Sequence, residues 1–304
     1  GQLLENGRIV SEILSQNLGK ARYWGCSGSA AHSVINHLDL DSTLKNSDGS
    51  SQGQEPPDYS QSNYQGVYGQ RNQPVHGTDE ITLWHALDDQ ILTVTDIETD
   101  LDDSNNPDPL GPTATISFEG KSDMDTGDFV VISNCAQADI FRISAIDNKQ
   151  NTLRLASCKS CTRRYPSGAF IQKLKQVRFF VSRGAGGQPA LFSAENNHSA
   201  VELIEGVEKI RFYYGHDVNN DGAADHYVRP EVITDSCIKS TNLDCWSEIS
   251  SIRYAVLMRS VDDKITQKPQ AYKFDGKQHT ASDRRLRREL IKTVPHLNHR
   301  YTRK

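Results

Sequence analysis

A single helical pattern opens this chain, and nothing after it repeats that pattern. Leu3, Gly7, Val10, Leu14, Leu18 and Ala21 recur at three- and four-residue intervals, so residues 2–22 are predicted to form an amphipathic helix. Glu5, Arg8 and Glu12 fall on another face, at spacings that allow pairing along the helix. Ile9 and Ile13 make a second, narrower apolar edge. That edge either widens the buried stripe or sits between the protein's own sheet and neighbouring subunits. Beyond Cys26 the period changes to that of short strands, at 80–85, 129–133, 138–146, 152–156, 169–173, 177–182, 189–193, 208–214 and 251–259. Gly, Pro and Asn/Asp clusters separate many of them, as in antiparallel β proteins. One helix followed by many strands predicts an α+β chain, with residues 1–22 helical and 23–304 a single β-rich head. The first residues already read as the middle of a helix, so an N-terminal portion is expected to have been cut away.

The chain has 304 residues, enough to bury a core, and a mean hydropathy of −0.61 fits a soluble protein with much polar loop. A formal charge of −5 argues against a dedicated nucleic-acid binder. No run approaches the roughly 18 apolar residues of a membrane helix. Residues 44–76 are rich in Ser, Gln, Gly, Asn, Pro and Tyr and read as a long surface loop. Its Tyr59, Tyr64 and Tyr68 suit either a binding surface or a loosely packed tract. A second loop, 95–113, reads as solvated and acidic.

Six cysteines stand at 26, 135, 158, 161, 237 and 245, without zinc-type ligand spacing, so disulfides in an oxidising compartment are expected. Cys158 and Cys161 are close in sequence, as are Cys237 and Cys245, which leaves Cys26 to pair with Cys135. The Cys158–Cys161 pair follows a strand rather than opening a helix, which favours a structural loop over redox work.

Asp217, Asn219, Asp221 and Asp225 carry oxygens at calcium-loop spacing, Gly222 supplies the turn and Ala223 a carbonyl. Position twelve is Val228 where a bidentate Glu belongs, and the flanks are strand-like, so an Asx-rich turn is the competing explanation. The tail 283–304 is basic and could contact nucleic acid, although Arg284–Arg288 with few aromatics more often marks a solvated strand face. His296 and His299 lack zinc partners, and no phosphate loop or catalytic motif is evident, so no enzymatic activity is expected.

Six blocks, in order, resemble PilW-type minor pilins of the type IV pilus. They are Glu5–Arg8 with Tyr23–Cys26 closing the helix, Gly77–Leu83, Ile132–Cys135 with Ala138–Phe141, Glu202–Glu208 with Phe212–Gly215, Ile252–Ser260, and Asp283–Arg288 with Asn298–Arg300. The long insertion and Pro295-His296 depart from the family's pattern. The resemblance implies a type IV pilin-like fold and a leader and membrane-anchoring half-helix outside this sequence. It implies residence in the inner membrane facing the periplasm, then at the pilus tip. It also implies a non-catalytic role in priming assembly with other minor pilins, the major pilin and a large tip adhesin. A J-type pseudopilin of type II secretion is the alternative of the same plan. A tip adhesin or DNA-binding module is the alternative of another class.

Overall fold

The computed structural model describes residues 1–25, 34–37, 66–72, 77–99, 114–134, 136–156, 165–196, 198–219, 221–233 and 245–295. Its long helix is α1 (Gln2–Lys20). Strands β1 to β8 are Val34–Asn36, Val67–Asn72, Thr78–Thr99, Ala114–Glu119, Phe129–Ser133, Ala138–Asp147, Thr152–Ala156 and Phe170–Arg183. Strands β9 to β16 are Pro189–Glu195, Val201–Glu205, Val207–His216, His226–Val228, Ile249–Arg259, Ala271–Phe274, Lys277–Thr280 and Arg287–Pro295. The α+β, pilin-like expectation is thereby corrected to a mostly β architecture dominated by a large antiparallel sheet. The helix is a minor cover on part of one sheet, because the apolar content lies in alternating strand runs rather than in helical stripes.

The chain divides into two compact units. One comprises Gly1–Ala21, Gly66–Leu83 and Gln176–Lys304, and the other Arg22–Gln65 and Trp84–Lys175. In the first unit, β12-β11-β13-β16 form a four-stranded sheet. There β2 pairs with the first part of β3, the later part of β8 with β9, and β9 with β10. Alternation sorts β11 cleanly: Ile210, Phe212 and Tyr214 are fully buried, whereas Arg211 and Tyr213 are half-buried on the opposite face. Trp246 packs edge-on against Tyr214 at 4.9 Å and meets Tyr68 at 5.4 Å. Gly69 faces the Tyr214 hydroxyl so closely that a Cβ there would collide with it.

In the second unit, strands β8-β5-β6-β7-β4-β3 are hydrogen-bonded in that order, and a β3–β8 pairing closes the ring. Val94 N donates to Ala169 O at 2.7 Å and Gly168 N to Val94 O at 2.8 Å, which joins the ends. Each strand sends alternate residues into one apolar cluster, including Val94, Ile116, Ile132, Phe141, Leu155 and Ile171, so the barrel is filled rather than hollow. The continuous run Phe129-Val-Val-Ile132 follows from burial on both faces. Val130 and Ile132 join that cluster, whereas Phe129 and Val131 join a second one with Trp24 and Trp84.

Two loop expectations are corrected. Val67–Asn72, inside the supposed 44–76 loop, is a strand in which Tyr68 is buried. Strand β3 runs on through Asp96 and Glu98, because Thr93, Val94, Thr95 and Ile97 are strand-favouring residues on either side of a bulge between Val94 and Asp96. Tyr59 and Tyr64 lie outside the described residues, as do the side chains of all six cysteines.

Candidate functional site

Helix α1 buries Gly7, Val10, Leu14 and Leu18, the stripe its spacing predicts. Gly7 allows close approach to Leu290 and Met258 of β16 and β13, where a Cβ would press on Leu290. Beside that stripe, Ser11 Oγ and Ser15 Oγ lie 2.9 and 3.1 Å from the Tyr254 hydroxyl. Asn6 Nδ2 donates to Glu205 O at 3.3 Å. The buried stripe therefore fixes the rotation of the helix. Ile9 and Ile13 fall on its shoulder and are half-buried, and Leu4 is 52% exposed.

On the other face of the four-stranded sheet, register places Tyr213, Arg253 and Thr293 in one row and Arg211, Ala255 and Ile291 in the next. The Arg253 guanidinium lies 3.9 Å from the Tyr227 ring centre, and its Nε donates to Thr293 Oγ1 at 3.2 Å. Arg229 stacks over Tyr213 at 5.2 Å. Fully buried Asp79 accepts from Arg211 Nη1 at 2.8 Å, Arg229 Nη2 at 3.0 Å and Phe212 N at 2.9 Å. Burial pushes the Asp79 carboxyl up, which outweighs the downward pull of the two arginines and the amide. This face offers recognition chemistry, in the form of fixed guanidinium donors, phenol rings and an exposed aliphatic residue.

The Asp217–Asp225 loop joins β11 to β12. Asp217 is buried, with Oδ1 accepting from Asp221 N at 3.1 Å and Oδ2 from Gly222 N at 2.8 Å. Asn219 Oδ1 accepts from Asp221 N, Asp221 Oδ1 from Ala223 N, and Asp225 Oδ2 from Val218 N. The calcium-type residues thus share one loop, but their oxygens turn onto its own amides as in nested Asx turns. Among the described residues, no three His, Cys, Asp or Glu side chains are grouped to hold a metal. At the base of the loop, His216 Nε2 and Glu248 Oε2 are 2.5 Å apart.

The basic run is not simply a solvated strand face. Arg287 is 6% exposed and donates to Asp283 at 2.5 and 3.0 Å and to Glu208 at 2.8 Å. Arg285 Nη1 donates to the carbonyls of Ser260 and Val261. Arg288 points the other way along β16 and is exposed. Sequence reasoning missed this network because side-chain direction depends on a register that the run Arg284–Arg288 does not display. It also missed the Tyr227–Arg253 face. The signal available for that face was the alternation of Lys209, Arg211 and Tyr213 with Ile210, Phe212 and Tyr214.

A family model, Type IV Pilus-assembly protein W, matches residues 178–298, which begin within β8 and extend just past β16. The match supports a PilW-type pilus protein with a part in type IV pilus assembly. No curated protein and no solved structure matches the chain significantly.

Proposed function

We propose that this PilW-type pilus protein acts as a minor pilin, priming assembly or building the tip through protein–protein contacts and without catalysis. The observation that carries the reading is the unequal use of α1. Its stripe Gly7, Val10, Leu14 and Leu18 is buried, whereas the shoulder at Ile9 and Ile13 is half-buried and Leu4 stands open. A helix fixed by one stripe and apolar on its flank suits lateral packing against further pilus subunits. In this proposal the partners are other minor pilins, the major pilin and a tip adhesin. The site of action is periplasmic and then at the pilus tip. No helix among the described residues is long and apolar enough to cross a membrane.

The test is piliation of cells carrying Ile9→Asp or Ile13→Asp, read beside the melting temperature of the purified chain. Pili should be lost while the melting temperature changes little, since a charge forced into an apolar contact between subunits is costly. Normal piliation in both variants would count against the helix flank as the assembly contact.

A further inference from the structure

We propose that the face of the four-stranded sheet centred on Arg253 docks an acidic polypeptide segment of a pilus-assembly partner, an assignment that rests on the assembly reading above. Arg253 is held from two sides, by the Tyr227 ring at 3.9 Å and by the Thr293 hydroxyl at 3.2 Å. Among the described residues, it has no carboxylate at ion-pair distance. Its neighbours Arg211 and Arg229 share the single buried carboxylate of Asp79, with Asp275 a further 3.7 Å from Arg211. Cations therefore exceed the acids fixed beside them, and among the described residues the terminal nitrogens of Arg253 carry no hydrogen bond.

A guanidinium whose side chain is already ordered loses little freedom on binding, and its planar fork matches a carboxylate. One register row away, on the same face, Ile291 is 61% exposed and supplies an apolar contact next to the charge. Arg and Tyr around an exposed aliphatic residue is the composition of energetically dominant interface positions. Nucleic acid fits less well. Both tyrosine rings are already covered by guanidinium groups, Tyr227 by Arg253 and Tyr213 by Arg229, which occupies the faces on which bases would stack.

The probe is a fluorescein-labelled twelve-residue peptide of alternating Glu and Leu, titrated into the whole chain at low ionic strength and followed by anisotropy. The wild-type protein should bind it. Arg253→Glu should weaken binding at least tenfold with an unchanged melting temperature. Arg288→Glu, the same charge change on the opposite face of β16, should leave binding within twofold. Ile291→Asp alters an exposed side chain and should weaken binding comparably, which covers the case of an Arg253 variant that folds poorly. No binding by the wild-type protein, equal losses in the Arg253 and Arg288 variants, or tighter binding of a single-stranded oligonucleotide would overturn the proposal. Such a result alongside loss of pili in Ile9→Asp cells would sink the docking face and leave the assembly reading standing.

Discussion

Asp217 is buried and satisfies two loop amides, each a charge-assisted bond. Asp217→Ala should therefore cost about 2–3 kcal/mol, measured by denaturant unfolding, and should do so in chelator as well as in calcium. Calcium binding by this loop stays a proposal, and the same unfolding experiment tests it. Stabilisation of the wild-type chain by calcium, lost in Asp221→Ala, would establish the ion. Asp283 behaves differently. The Arg287 hydrogen bond holds its carboxyl at about 2, below the ordinary 3.8. Because the folded-state value is the lower one, the stabilisation is complete above about pH 4 and is lost as pH falls through about 2. The stability gap between wild type and Asp283→Asn should thus be full at pH 5 and nearly closed at pH 2. At this scale the sequence displays the spacing of Asp217, Asn219, Asp221 and Asp225 but not where their oxygens point. That depends on turn geometry, which an oxygen ligand and an Asx turn share.

Among the elements, α1 was the most legible, since a three-to-four repeat of Leu, Val and Gly leaves little choice of which stripe is buried. Strands β5 and β7 were equally plain, being short and rich in β-branched or apolar residues. Of strand β3 only 80–85 shows in the sequence, because Asp88, Asp89, Asp96 and Glu98 look like loop residues when their strand partners are unknown. Strand β16 was hidden by its arginines, although Arg287 is buried against Glu208 and Asp283. The helix gives a paired prediction. Leu14 is fully buried, so Leu14→Ala should destabilise the purified chain by about 2–5 kcal/mol. Half-buried Ile13 should behave oppositely on substitution by Asp, with a small change in melting temperature and a large loss of pili. A large fall in melting temperature for Ile13→Asp would make that side chain part of the protein's own core and remove it from the contact surface.

For the molecule as a whole, the division into two units was the least legible feature. Their segments interleave along the chain, and β3 and β8 each pass from one unit into the other without a break in pattern. No composition shift marks Leu83 or Lys175, and pairing between β3 and β8 is a long-range event that local periodicity does not encode. Charge does separate once the units are known. Arg22–Gln65 with Trp84–Lys175 carry 19 Asp and Glu against 11 Lys and Arg, whereas the remainder carries 20 against 23. The basic remainder is also where the pilus-assembly match lies. The barrel has its own apolar filling, so its stability is expected to be separable from that of the unit containing α1. Ile132 is 1% exposed inside it, so Ile132→Ala leaves a cavity and should cost that unit about 2–5 kcal/mol. Hydrogen exchange should then accelerate at the amides of Phe129–Ser133 and Ala138–Asp147, while those of Val207–His216 and Ile249–Arg259 keep their wild-type protection. Equal acceleration in both sets would mean that the two units unfold as one.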